Sequence, residues 1–86
     1  MRIVLSEQAE EDIHFWNSAD PEKTEKIIHL LENIAQTPYS GIGKPEPLKH
    51  ALSGCWSRRI DREHRLVYKV EHDSLLIISC RFHYQK

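Results

Sequence analysis

The chain has 86 residues, a net charge of −1, 40% hydrophobic and 29% charged residues, the composition of one soluble globular domain with room for a single core. No apolar run approaches the ~20 residues that span a bilayer, and MRIVLSEQ lacks a signal peptide's long apolar stretch, so the expected address is the cytoplasm, with no membrane partner. Cys55 and Cys80 lie 25 positions apart with no CxxC pair and no histidine at finger spacing; they read as small buried thiols in a reducing compartment, which argues against a zinc site.

Arg2–Leu5 (RIVL) is short, apolar and β-branched, and reads as a strand. Ser6 offers an N-cap, and Glu7, Glu10 and Glu11 suit the positive end of a helix dipole. Ala9, Ile13 and Trp16 fall at i, i+4, i+7 with Phe15 beside them, so Ser6–Ser18 is expected to be a helix with one apolar face. Asp20-Pro21 restarts the chain, with Asp20 as cap and Pro21 at the first helical position. Ile27, Ile28, Leu30, Leu31, Ile34 and Ala35 make a broad stripe, and Pro38 stops this second helix near Gln36. The short link predicts an antiparallel helical pair.

Thr37–Pro47 (TPYSGIGKPEP) holds three of the four prolines and two of the three glycines. It sets Glu46 between Pro45 and Pro47, on stiff, non-helical backbone. Alone it reads more readily as a solvated polar loop, although loops this long in small domains are often functional. After it the hydrophobic period changes to two. Cys55–Ile60, His64–Val70 and Leu75–His83 are strand-like, joined by links of three and four residues, which predicts consecutive antiparallel hairpins. In the last run Leu76, Ile78, Cys80 and Phe82 form an apolar set that belongs on the core, while the opposite set turns polar at Ser79, Arg81 and His83. The expected fold is α+β: one strand, a two-helix antiparallel hairpin, then an antiparallel meander with the helices on one sheet face. The other face is left for function. Residues 1–86 form one domain.

Charge is uneven along the chain. Residues 1–43 hold three Lys/Arg against eight acids, a net of −5, and residues 44–86 hold nine against five, a net of +4. That split suggests a polyanion-binding face in the C-terminal half. Nucleotide-loop, HExxH and GxSxG patterns are missing from the sequence. The remaining candidates are Glu46 on a stiff loop, His83 at a strand end, the guanidiniums of Arg59 or Arg58 and Arg65, Lys49, and Tyr84. Metal-free RNA cleavage needs such groups: a base for the 2′-hydroxyl, an acid for the departing 5′-oxygen, and cations for the phosphoryl charge. Each also has a plainer reading: Arg58 and Arg59 as strand-surface charges, Tyr68 as core, and His14, His29 and His72 as solvated residues.

The combined run GKPEPLKH, LSG, WSRRI, EHRLVY, DSLLI and CRFHY resembles the YoeB toxins of bacterial toxin–antitoxin systems, within the RelE/ParE superfamily. The resemblance covers nearly the whole chain and is densest from Gly43 to Tyr84. It implies a RelE-like fold and an mRNA endoribonuclease that works in the ribosomal A site without a cofactor, pairs with a YefM-type antitoxin and forms a homodimer. Carried onto this sequence, Glu46 matches the family's general base, His83 its general acid and Arg65 the residue that stabilises the transition state; Tyr84, Lys49 and Arg59 match residues that orient the RNA or bind its phosphates. Two rival readings stay open, a ParE-type gyrase poison and a non-catalytic module that binds antitoxin or rRNA. Small departures from the family pattern are Leu5 and Cys55, where some relatives carry larger aromatics, and Gln85 and Lys86 after the tyrosine at which many relatives stop.

Overall fold

Ser6 closes the first strand and opens the first helix. Its Oγ accepts the Ala9 N–H at 3.0 Å and donates to the Ile78 carbonyl at 2.7 Å, so the cap also ties the helix start to the last strand. The computed structural model describes residues 1–82. Within them, β1 is Arg2–Leu5, α1 Glu7–Ala19, α2 Pro21–Gln36, β2 Glu46–Pro47, β3 Trp56–Arg59, β4 Arg65–Glu71 and β5 Ser74–Ser79, with a 3₁₀ turn at His50–Leu52. Asp20 ends α1 by donating its N–H to the Trp16 carbonyl, and Pro21 begins α2 at once.

The sheet order is β1-β5-β4-β3-β2. β3, β4 and β5 form the expected antiparallel meander, and β1 joins its edge parallel to β5, with Arg2 opposite Ser74. The helical pair carries the chain across one face, from β1 at one edge of the sheet to β2 at the other. Both helices cover one face. Ala9 and Trp16 from α1 and Ile27, Leu30 and Ile34 from α2 are buried against Leu66, Tyr68, Leu75, Ile77 and Cys80. Full burial of such aliphatic side chains stabilises by roughly 1.5–3 kcal/mol each. Phe15 and Ile28, placed on the apolar faces by periodicity, lie at the exposed margins instead. On the opposite face, Leu48, Cys55 and Val67, with Leu52 and Ile78, form a small second cluster, so that face is only partly left to solvent.

The last strand departs from its expected extent and facing. Leu75 and Ile77 point to the core, whereas Leu76 and Ile78 are half-buried on the far side. Tyr68 pairs with Ile77, but the preceding Val67 pairs with Ser79. The extra residue is a bulge, and it returns Cys80 to the core. The ladder then stops at Ser79 because α1 takes the next backbone groups. Asp12 Oδ2 accepts the Cys80 N–H at 2.9 Å, and Trp16 Nε1 donates to the Cys80 carbonyl at 2.7 Å. Phe82, expected in the core, is 54% exposed.

Candidate active site

Glu46 lies on β2, the two-residue edge strand between Pro45 and Pro47. Prolines are tolerated there because an edge strand has only one neighbour to bond. Three contacts fix its register: Glu46 sits opposite Ser57, the Leu48 N–H donates to the Cys55 carbonyl at 2.9 Å, and the Arg59 N–H donates to the Gly43 carbonyl at 2.7 Å. Gly43 makes the last contact possible. Its φ is +79°, and a Cβ there would meet Leu30 Cδ2 at 2.9 Å and the Arg59 carbonyl at 3.3 Å.

Behind this loop lies Arg58, read from sequence as a strand-surface charge and found fully buried. Alternation on β3 turns Arg58 toward the helices and Arg59 toward the other face. The Arg58 guanidinium donates to Asn33 Oδ1 (2.7 Å) and to the carbonyls of Ile42 (2.8 Å), Thr37 (2.8 Å) and Ser40 (2.9 Å), while Nε donates to the Tyr68 hydroxyl at 3.1 Å. Tyr68 in turn donates to the Pro38 carbonyl at 2.6 Å. A planar fork with five N–H donors suits so many fixed acceptors. The loop that carries Glu46 is thus wound around a buried cation.

The register places the other groups. Arg59 is opposite Arg65, two residues along β3 from Ser57, so Glu46, Arg59 and Arg65 share the sheet face away from the helices. Strand and residue spacings put the Glu46 and Arg65 Cα atoms ~12 Å apart, a gap two long side chains and one phosphodiester can fill. Arg59 is exposed, as is Lys49, which follows β2 and caps the 3₁₀ turn. Arg65 is largely buried, and its Nη1 donates to the carbonyls of Asp61 (2.9 Å), His64 (3.1 Å) and Arg62 (3.3 Å). Those partners are neutral, so they orient the guanidinium without cancelling its charge. His83 and Tyr84 lie outside the described residues.

The turn that supports Arg65 is itself braced. Asp61 Oδ1 accepts the amides of Glu63 (2.8 Å) and His64 (2.7 Å), and Oδ2 pairs with Lys23 at 3.1 Å. Burial by itself would raise the Asp61 carboxyl, but the two amides and the ammonium outweigh it and hold the group below its ordinary value. The approach to residue 83 is also held. The Phe82 N–H donates to His64 Nδ1 at 2.6 Å and the Arg65 N–H donates to the Phe82 carbonyl at 3.0 Å, with Phe82 at φ +63°. A bulky residue in that region stays only where its surroundings force it. Neither His64 nor Asp12 was singled out from sequence, because their partners are backbone groups 18 and 68 positions away. For Arg58 a signal existed: in WSRRI, Arg58 shares strand parity with Trp56.

Residues 5–84 match the family described as YoeB-like toxin of bacterial type II toxin-antitoxin system. Toxin YoeB of Escherichia coli K12 is 52% identical over 84 residues, 98% of this chain and all of that one. The YoeB/ParE toxin from Agrobacterium tumefaciens superposes with a TM-score of 0.95 at 46% identity, over 98% of this chain and 100% of that one. YoeB of Staphylococcus aureus, at 45% identity and 98% coverage of both chains, has been solved as a dimer (TM-score 0.91) and in a heterotetrameric complex with YefM (TM-score 0.89).

Proposed function

The chain belongs to the YoeB-like toxins of bacterial type II toxin–antitoxin systems, and on that basis we propose that it is a metal-independent endoribonuclease that cleaves mRNA in the ribosomal A site. The ionised Glu46 carboxylate takes the 2′-hydroxyl proton and the 2′-oxygen bonds to the adjacent phosphorus. The bond from phosphorus to the 5′-oxygen breaks, and that oxygen receives a proton from His83. The products are a 2′,3′-cyclic phosphate and a 5′-hydroxyl. Arg65 steadies the charge that builds on the phosphoryl oxygens. Tyr84 orients the RNA, and Lys49 and Arg59 hold its phosphates.

One observation carries this reading: Glu46 and Arg65 lie on one sheet face, two strands apart, the Glu46 backbone set by pairing with β3 and the Arg65 guanidinium by three carbonyls, none of which needs substrate. Groups positioned before the reaction need no reorganisation during it, which is where such electrostatic catalysis gains most. The antitoxin is a YefM-type protein and the toxin pairs with itself, as S. aureus YoeB does in the structures named above. The ribosome presents the message in the cytoplasm, as the resemblance to the family implies, and a net charge of −1 fits weak binding of free RNA.

The test is to map mRNA 5′ ends in a translating extract given wild-type protein, Glu46→Gln or His83→Ala. New 5′-hydroxyl ends in codons held by the A site are expected with wild type and are lost with either variant. Translation arrest without new ends would refute the nuclease and leave a binding module. Cleavage should also fall on the alkaline side as an imidazole acid loses its proton.

A further inference from the structure

We propose that His64 is a positioning residue for the reaction: its Nδ1 holds the backbone of Phe82, the residue joined directly to His83. The inference rests on the reading of His83 as the general acid. His64 ends the β3–β4 turn and carries none of the roles assigned above. Its ring stands edge-on to Trp16 with centroids 4.8 Å apart and tilts against Phe82 at 5.7 Å. That packing aims Nδ1 at the Phe82 N–H, 2.6 Å away, while the next residue, Arg65, gives its own N–H to the Phe82 carbonyl.

The backbone at Phe82 is in the left-handed region, with φ +63°. A phenylalanine adopts it only under external hold, and the two bonds from residues 64 and 65 supply that hold. One turn therefore sets both the Arg65 guanidinium, through the carbonyls of Asp61, Arg62 and His64, and the residue preceding His83. Nδ1 can accept only while it carries no proton. Protonation would set two donors 2.6 Å apart, so the bond would be lost and the Phe82 conformation released.

Charged and titratable groups surround the ring on several sides. The Glu63 carboxylate lies 3.8 Å from Nε2, Asp61 accepts the His64 amide and carries Lys23 of α2, and Arg65 follows in the chain. On the α1 side Asp12 and the Cys80 thiol sit with Trp16, and Arg81 stacks on Phe82 with Cζ 4.4 Å from its centroid.

The experiment compares wild type with His64→Asn, whose amide oxygen can take the place of Nδ1 but cannot titrate, and with His64→Leu, which removes the acceptor. Two readouts are taken at one neutral pH: the Phe82 amide resonance in ¹⁵N-labelled protein, and single-turnover cleavage on programmed ribosomes. In His64→Asn the Phe82 amide should stay near its wild-type position and cleavage should be retained, whereas in His64→Leu the amide should move and cleavage should fall on the order of tenfold. A His64→Leu protein whose Phe82 amide and cleavage rate match wild type, or a His64→Asn protein as impaired as His64→Leu, overturns the proposal. If no protein cleaves, the nuclease reading has failed, and the Phe82 resonance still decides whether His64 holds the segment.

Discussion

Replacing Arg58 by methionine keeps a long apolar stem but removes a buried cation and five donated hydrogen bonds. Two effects oppose each other. Charge-assisted hydrogen bonds contribute about 1.5–3 kcal/mol each, but a buried charge pays for its own desolvation, and apolar replacements of buried ions are often neutral or stabilising. Here the acceptors decide. The Thr37, Ser40 and Ile42 carbonyls belong to exposed residues and regain water if the loop opens, but opening gives up the packing behind Glu46. The Tyr68 hydroxyl keeps the Pro38 carbonyl as partner, and Asn33 Oδ1 retains the Ile42 N–H. Discounting each lost bond to roughly 0.5–1 kcal/mol for these alternatives leaves a net cost of about 3 kcal/mol. For a domain of this size that lowers Tm by about 12 °C or more. Calorimetric melting of wild type, Arg58→Met and Arg58→Lys measures it, and lysine should fall between them because one ammonium with three donors cannot meet five acceptors. Hydrogen exchange should show the loss concentrated in residues 37–43. A methionine variant that melts at or above the wild-type temperature would refute the reasoning, showing that desolvation outweighs the carbonyl cradle.

Gly43→Ala should cost about 1–3 kcal/mol, since its methyl meets Leu30 and its backbone requires a positive φ; cleavage should fall with stability, and denaturant melts paired with rate measurements check both. Lys49→Ala and Arg59→Ala should weaken ribosome-bound RNA affinity and each reduce the salt slope of binding by about 0.7–0.9, with smaller effects on the single-turnover rate. Asp61 has a folded pKa below its unfolded value, so its stabilisation is present above the unfolded value and lost as pH falls through the folded one. The gap in stability between wild type and Asp61→Asn should thus be full near neutral pH and shrink only as pH falls below the ordinary carboxylate range. Burial, with Asp12 nearby, pushes the Cys80 thiol up to about 12, and burial also raises Cys55; neither should react with iodoacetamide at pH 8 until the protein is unfolded, as mass spectrometry of the labelled chain would show.

What the sequence discloses is what neighbouring residues decide together. Ser6, Asp20-Pro21 and the apolar stripe of α2 act within a turn or two, and each stands where local chemistry puts it. Glu46 could be placed on stiff backbone because the two prolines act on their immediate neighbours. Long-range polar pairing left no such trace. Asp12 carries no mark of its role in the sequence, yet it takes the amide that would have continued β5, and the bulge at Ile78 reverses the facing that alternation gave to the preceding residues. Arg58 was misread for a related reason. An arginine on a strand is ordinarily solvated, and only the return of residues 37–42 over it supplies enough carbonyls to bury it. The site face itself follows from pairing, since Glu46, Arg59 and Arg65 are joined by register.

The parallel pairing of β1 with β5 has a consequence for synthesis. Arg2–Leu5 is made long before its partner, which begins at Ser74. Every intermediate length of nascent chain up to that point has an unfinished sheet edge and an incomplete core. Closing a loop of some seventy residues comes late and slowly compared with local helix formation. The order of synthesis thereby delays assembly of the sheet until β5 has been made.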